Sequence, residues 1–275
     1  MKAKDYLSFY GLKWDPFAPN IPIEALSHSE ELKQFCWRVE NLILDGGYGM
    51  ITGEPGTGKS CSLRIVANRL EQIKDVQVGL LARPQSKVAD FYRELGDLFG
   101  MNYRVSNRWN CYKDLRLKWQ EHIKTTLMRP VLLIDEAQEM PSDVLNELRL
   151  LSSVKLDSQI VLAVIFSGDG RLIERFKGPD LVPLASRIRV KLTHRHLGKE
   201  ELVRVLKHSI HEAGNTNLMS EELISTVCEH AMGNYRSLMV MCSNLLLEGQ
   251  AREKQQLNEQ LFIELFGTNR KSKKG

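Results

Sequence analysis

Long apolar stretches, paired cysteines and a large excess of one charge are all missing from this 275-residue chain. The longest uncharged apolar runs, 159–168 and 238–247, are about half of the roughly 20 residues that a membrane helix needs. The N-terminus leads into no apolar stretch of the kind that a signal peptide contains. We therefore expect no membrane span, no secretory leader and no membrane partner.

The cysteines are few and scattered. They are odd in number and form no CxxC pair: Cys36, Cys61, Cys111, Cys228 and Cys242. Such a set does not build a regular disulfide framework and favours a reducing, cytoplasmic location. The histidines at 194, 196, 208 and 211 lack the Cys or carboxylate partners whose spacing indicates a zinc site.

The net charge of +4 comes from the C-terminus. Lys and Arg total 38 against 34 Asp and Glu, and residues 270–275 carry four positive charges and no acid. The rest of the chain is therefore neutral. Such a basic tail is typical of a solvated arm that contacts phosphates or protein, or that only keeps the chain soluble.

Alternating apolar runs and helical periodicities predict an α/β fold with a parallel five-stranded sheet. The predicted strands are 48–52, 76–82, 131–135, 160–166 and 188–192. The predicted helices are 29–44, 59–70, 87–99, 112–128, 144–151, 200–212, 220–231 and 237–252. Because no strand-like run follows Thr193, the sequence predicts a second, all-helical part.

The domain organisation follows from this change of pattern. We expect an N-terminal segment and helix at 1–45, in which 1–27 is irregular, and an α/β core at 46–195. A helical lid subdomain is expected at 196–268 and a basic tail at 269–275.

A glycine-rich loop between a predicted strand and a predicted helix carries the first functional motif. Gly53-Glu-Pro-Gly-Thr-Gly-Lys-Ser60 matches GxxxxGK[ST] at every fixed position. Its backbone N–H groups and the helix N-terminus are suited to phosphate, Lys59 to the β- and γ-phosphates, and Ser60 to Mg²⁺. The predicted ATP-binding residues here are Gly53, Glu54, Pro55, Gly56, Thr57, Gly58, Lys59, Ser60 and Cys61.

The second motif is a pair of carboxylates after a buried strand. Four apolar residues, 131–134, precede Asp135 and Glu136, and ligands bind at this end of strands in open α/β sheets. We expect Asp135 to hold Mg²⁺ and Glu136 to activate the water that attacks the γ-phosphate. The two motifs together predict an ATPase that hydrolyses ATP with Mg²⁺.

Further residues resemble the AAA+ ATPases. Gly233-Asn-Tyr-Arg236 looks like the second sensor motif, whose arginine reaches the γ-phosphate from the lid. Leu184–Arg189 precedes the last strand, where this family carries its arginine finger. Phe9–Phe17 looks like the opening of the ExeA-type branch, which contains general-secretion ATPases and ATP-binding helper proteins of transposons. The resemblance implies an AAA+ P-loop core followed by a small helical lid.

Two roles implied by the resemblance have more than one candidate. The fourth strand ends without the common first-sensor residue, so Ser167 or Asp169 takes that place. For the finger we choose Arg187, with Arg189 as its main competitor and Arg171 and Arg175 also available.

A basic stretch between the two nucleotide motifs is the candidate DNA contact. Residues 83–118 carry eight positive charges and four acids, interleaved with aromatic residues. Such side chains bind a phosphate backbone without reading bases, although charge runs are usually solvated helix surface. The predicted contacts lie in two loops: Arg83, Lys87, Arg104, Asn107 and Arg108.

The resemblance implies an ATP-regulated regulator of DNA transposition. Such a protein would bind double-stranded DNA independently of sequence, select target DNA and recruit or activate a transposase, with a target-site adaptor as a further partner. ATP would assemble subunits into a ring or helical filament, and hydrolysis would release them. The alternatives are a secretion-type ATPase that remodels protein partners without DNA, and a nucleotide-dependent scaffold with little turnover.

Overall fold

The computed structural model describes residues 5–101, 108–154 and 159–267. These residues form two compact units. The sheet unit comprises the described residues of 28–55 and 59–194, and the helical unit comprises residues 5–27, 56–58 and 195–267. The predicted contacts Arg104 and Asn107 and the basic tail lie outside the described residues.

The described strands and helices follow the predicted alternation. The strands are β1 (Gly47–Gly53), β2 (Val78–Leu81), β3 (Val131–Ile134), β4 (Ser153–Val154), β5 (Gln159–Ile160), β6 (Ala163–Gly168) and β7 (Ile188–His194). The helices are α1 (Asp5–Tyr10), α2 (Glu30–Asp45), α3 (Lys59–Glu71), α4 (Val88–Leu98), α5 (Arg108–Thr126), α6 (Ser142–Ser152), α7 (Gly170–Lys177), α8 (Val182–Ala185), α9 (Lys199–Ala213), α10 (Glu221–His230), α11 (Tyr235–Ala251) and α12 (Glu259–Phe266).

The main sheet has five parallel strands in the order β2-β3-β6-β1-β7, which confirms the predicted fold class. All residues of β3 and β6 are buried, as expected for central strands covered by helices on both faces. Because the strands are parallel, the residues that follow β1, β3 and β6 meet at one edge of the sheet. This carboxyl edge receives the glycine-rich loop and both candidate carboxylates.

Local sequence explains where α2 begins and ends. The Ser29 side chain accepts a hydrogen bond from the Leu32 N–H at 3.2 Å, and two acids in the first turn favour the positive end of the helix dipole. Gly46, at φ +76°, ends the helix and leads into β1.

The helical unit includes the beginning of the chain. The Asn215 side chain donates to the carbonyl of Tyr10 at 2.8 Å, and the Lys13 N–H donates to the carbonyl of Ala213 at 2.9 Å. The predicted N-terminal segment 1–45 is thus divided in the structure. Residues 5–27 join the helical unit, and α2 joins the sheet unit.

Some predictions of local structure were wrong. Residues 1–27 contain α1 rather than being irregular, α7, α8 and α12 were missed, and strand 160–166 is interrupted. Gln159–Ile160 pairs antiparallel with β4, and only residues from Ala163 onwards join the main sheet. Helix α5 begins at Arg108, so Arg108 is helical rather than a loop residue. The short helices have too few turns to show a clear period in the sequence.

Among the described helices, none is both long and apolar enough to cross a lipid bilayer.

Candidate nucleotide-binding site

The glycine-rich loop connects β1 to α3 and depends on two glycines with positive φ. Gly56 has φ +82° and Gly58 has φ +98°, values that residues with a side chain rarely adopt. Apart from Gly58 and its chain neighbours, no described residue has an atom within 4 Å of a Cβ placed on Gly58. Backbone conformation, rather than crowding, therefore requires glycine at this position.

Lys59 is the first residue of α3 and is buried, with 7% of its surface exposed. Its ammonium group donates to the backbone carbonyls of Gly53 at 2.9 Å and Glu54 at 3.1 Å. Both partners are neutral, so these contacts hold the side chain across the loop without cancelling its charge. A buried cation at a helix N-terminus fits the phosphates of a nucleotide.

The other predicted loop residues differ in exposure. Ser60 is exposed at the start of α3, Thr57 is buried and Cys61 is half-buried. Glu54 and Pro55 are exposed at the tip of the loop.

The two carboxylates follow β3, as predicted. Asp135 Oδ1 accepts hydrogen bonds from the Ser167 hydroxyl at 2.7 Å and from the Glu136 N–H at 3.0 Å. The first contact follows from the register, because Ile134 pairs with Phe166 and the next residues are therefore neighbours. Glu136 is exposed, and its backbone is left-handed, with φ 50° and ψ 40°.

The donor set around the loop fits Mg²⁺. The Ser60 hydroxyl and the Asp135 carboxylate supply hard oxygen atoms, which this ion prefers. When bound with ATP, Mg²⁺ neutralises charge on the phosphates.

The two first-sensor candidates have different surroundings. Ser167 is fully buried and bound to Asp135. Asp169 caps α7 by accepting from the Arg171 N–H at 2.9 Å, and its carboxylate pairs with the Arg171 guanidinium at 2.8 Å. Hydrogen bonding to Arg171 lowers the pKa of Asp169, with a smaller lowering from the charge of Lys59.

Sequence reasoning missed two residues near the loop, His194 and Gln138. His194 ends β7 opposite Gly53, and its Nε2 lies 2.9 Å from the Ser62 hydroxyl on α3. Burial, and then the charge of Lys59, lower the pKa of His194. The sequence gives the histidines no metal-site spacing, and nothing in it indicates that His194 pairs with Ser62. Gln138 contacts Glu136 and is described below.

The candidates for the arginine finger lie in two places, the start of β7 and helix α7. Arg187 and Arg189 lie on either side of Ile188, the first residue of β7, which pairs with Tyr48 at the start of β1. This is the amino edge of the sheet. Burial raises the pKa of Tyr48 to about 12, against the lowering effect of hydrogen bonds with Ser152 and Arg187.

The other three finger candidates lie in the sheet unit and each contacts another residue of that unit. Arg189 Nη1 donates to the carbonyl of Gly46 at 3.5 Å. Arg171 pairs with Asp169 and Glu139, and Arg175 donates to the carbonyl of Gln138.

Arg236 lies in the first turn of α11 and is exposed. The helix begins two residues earlier than predicted, because the Asn234 side chain caps it by accepting from the Ser237 N–H at 3.0 Å. Within the helical unit, the Arg236 backbone N–H donates to the carbonyl of Gly56 at 3.2 Å.

The described DNA-contact candidates differ in their surroundings. Arg83 and Lys87 are exposed in the turn between β2 and α4, at the carboxyl edge of the sheet. Arg108 instead forms an ion pair with Glu147 on α6, whose other oxygen accepts from the Tyr92 hydroxyl at 2.8 Å.

Comparison with known proteins finds a family that is similar to part of the chain and structures that share its fold. Residues 43–176 match a protein family described as an AAA domain. General secretion pathway protein A of Aeromonas hydrophila is 26% identical over 255 residues, which are 90% of this chain. The match covers 45% of that protein, so the chain spans less than half the length of this relative.

Two solved structures share the architecture. The ORC2 protein of Aeropyrum pernix has a TM-score of 0.72 at 15% identity, over 94% of this chain and 72% of that chain. Drosophila ORC bound to DNA has a TM-score of 0.69 at 16% identity, over 98% of this chain and 69% of that chain. At these identities the likeness shows a common fold alone. The parallel sheet and the likeness to these structures show that the chain has the AAA+ fold, and residues 43–176, which include the phosphate loop, are similar to an AAA domain.

Proposed function

We propose that this ATPase is a cytoplasmic, oligomeric switch on duplex DNA that regulates DNA transposition. It selects target DNA and recruits or activates a transposase, with a target-site adaptor as a further partner. ATP assembles subunits into a ring or helical filament on DNA, and hydrolysis releases them.

One observation supports the proposed ATP-dependent assembly: Lys59 and Arg187 lie at opposite edges of one parallel sheet. An arginine at the amino edge cannot reach phosphates held at the carboxyl edge of its own subunit. It can reach those of a neighbour, as an arginine finger supplied in trans does. ATP at each interface would then join two subunits.

The residues at the carboxyl edge take complementary roles in this proposal. Lys59 binds the β- and γ-phosphates, Ser60 and Asp135 hold Mg²⁺, and Glu136 orients and deprotonates water. Arg236 senses the γ-phosphate from the helical unit, and Ser167 or Asp169 serves as first sensor.

The DNA part of the proposal is supported by charge and exposure. Arg83 and Lys87 are exposed in the turn after β2, so both side chains are accessible to a phosphate backbone. The proposal adds that this surface binds phosphates without sequence preference. The similar Drosophila ORC structure was determined with DNA bound.

A second candidate function is favoured by a different observation. The 26% identity over 90% of this chain is with a general secretion pathway protein. In that alternative, the same ATP switch remodels protein partners of the cell envelope and does not bind DNA.

ATP hydrolysis measured with and without duplex DNA separates the two candidates. We expect DNA of unrelated sequences to stimulate the ATPase and to support ATP-dependent assemblies visible by electron microscopy. Arg83→Ala with Lys87→Ala should remove the stimulation and keep the basal rate. If assembly and the rate of ATP hydrolysis are the same with and without DNA at low salt, the result would favour the secretion-type alternative.

The transposition role needs a cellular measurement. Lys59→Ala in the chromosomal gene should lower the transposition frequency of the associated element in a mating-out assay. An unchanged frequency together with a secretion defect would refute the transposition role.

A further inference from the structure

A buried glutamine connects the candidate catalytic carboxylate to the end of β6. Gln138 is 6% exposed and lies in the short 3-10 turn Ala137–Glu139 that follows Glu136. Its side-chain Nε2 donates to Glu136 Oε2, and its Oε1 accepts from the Asp169 N–H at 3.2 Å. A carboxylate requires a donor and an N–H requires an acceptor, so these two partners fix the orientation of the amide.

The backbone around Gln138 restricts it further. A Cβ placed on Gly168 would lie 2.6 Å from Gln138 Oε1, so the end of β6 runs directly against the amide. The backbone carbonyl of Gln138 also accepts a hydrogen bond from Arg175 on α7. The glutamine is thus held by β6 on one side and α7 on the other.

Glu136 lacks the burial that would fix its own side chain. It is exposed, and its left-handed backbone at φ 50° is sparsely populated for residues other than glycine. Such a conformation persists where neighbouring contacts determine it. The hydrogen bond from buried Gln138 is a contact of this kind, and it engages Oε2 of the carboxylate.

We propose that Gln138 is the positioning residue for Glu136, through which the end of β6 sets the place of the catalytic carboxylate. The inference rests on the proposed role of Glu136 in activating water. Asp135 is held in a corresponding way by Ser167. Both carboxylates are therefore tied to three consecutive residues, 167–169, and a shift of that segment would move both together.

Gln138→Met tests the proposal, because methionine keeps the length of the side chain and removes both amide hydrogen bonds. We expect kcat for ATP hydrolysis to fall by up to about a hundredfold through misplacement of Glu136. KM for ATP should stay close to the wild-type value, since the phosphate loop is untouched. Gln138→Glu, which keeps the size but sets a like charge beside Glu136, should be at least as slow.

Glu139→Gln is the matched control. Glu139 lies in the same turn but is exposed and pairs with Arg171 at 2.9 Å. Replacing the Glu139 carboxylate by an amide should leave both kcat and KM for ATP unchanged. ATP affinity and thermal unfolding are measured for every variant, so that a folding defect is recognised.

A double-mutant cycle separates positioning from general structural support. In a Glu136→Gln background, Gln138→Met should cause little further loss of kcat, because the carboxylate it positions is already gone. An equal loss in both backgrounds, or an unchanged kcat in Gln138→Met alone, would overturn the inference. If Glu136→Gln alone hydrolyses ATP at the wild-type rate, the assignment of Glu136 fails instead.

Discussion

Lys59 and Arg187 are separated by the whole length of β1. Lys59 follows the phosphate loop at the carboxyl edge, and Arg187 comes directly before Ile188, which pairs with Tyr48 at the amino edge. The seven residues of β1 span roughly 20 Å at about 3.3 Å per residue. This distance exceeds the reach of an arginine side chain, so Arg187 does not contact a phosphate bound at Lys59 of the same subunit.

The first prediction is complementation between two inactive variants. Arg187→Ala should bind ATP but hydrolyse it slowly, and Lys59→Ala should bind ATP weakly. In a mixture, an interface between an intact phosphate loop and an intact Arg187 regains both groups. ATPase activity of the mixture should therefore exceed the sum of the separate activities.

Arg189→Ala is the control for this experiment, since Arg189 lies two residues after Arg187, within β7, and donates to the carbonyl of Gly46. Activity restored by mixing Lys59→Ala with Arg189→Ala, but not with Arg187→Ala, would transfer the finger role to Arg189. An absence of rescue with both variants folded would contradict a role in trans.

The second prediction concerns the chemical step. Glu136→Gln should keep ATP affinity, because Lys59 and Asp135 remain, and should slow hydrolysis by about 10²–10⁴-fold. Assemblies formed with ATP should accordingly last longer. Single-turnover kinetics measure the rate of hydrolysis, and electron microscopy measures how long the assemblies persist. Rapid release of subunits from this variant would contradict the coupling of hydrolysis to disassembly.

The sequence predicted the parts of the molecule that depend on short-range pattern. The phosphate loop, the buried strand before Asp135 and the five-stranded parallel sheet each have a local signature: a motif, an apolar run, or alternation of strands with helices. The split of strand 160–166 had no such signature, because Val161 and Leu162 are as apolar as the residues that join the sheet.

Contacts between distant segments were beyond prediction. Ser62 with His194 and Arg108 with Glu147 are separated by 132 and 39 residues. Their pairing depends on strand order and helix packing, which periodicity does not specify. Gln138 was missed for another reason: a buried amide is recognisable only once its partners, Glu136 after β3 and Asp169 after β6, are known.

The third prediction concerns DNA. Arg83→Ala with Lys87→Ala should weaken binding equally on unrelated sequences and flatten the slope of log affinity against log salt by about one to two units per subunit. Arg108→Ala should have a smaller effect, because Glu147 already neutralises that arginine. Binding isotherms at several salt concentrations measure the affinity and the salt slope of each variant.

Lys124→Ala is the matched control for charge in the DNA experiment. Lys124 is exposed near the end of α5, which leads to the amino edge of the sheet, away from the turn that carries Arg83. A salt slope lowered equally by Lys124→Ala would show that net charge, rather than the turn after β2, determines DNA binding.

The last prediction is a pH dependence of stability that arises from His194. Burial, reinforced by the charge of Lys59, lowers the pKa of His194 below its usual value of 6.5. The unfolded chain therefore binds a proton at this residue more readily than the folded chain does. The neutral ring contributes stability that is complete above about pH 6.5 and is lost as the pH falls towards the lowered pKa.

Urea unfolding of the wild type and of His194→Gln, measured from pH 7.5 to 5.5, isolates this contribution. Glutamine can still hydrogen-bond to the Ser62 hydroxyl but does not titrate, so the variant should lose less stability on acidification than the wild type. Other titrating groups are common to both proteins and cancel in the comparison. Equal slopes for the wild type and His194→Gln would show that burial of His194 does not affect stability in this range.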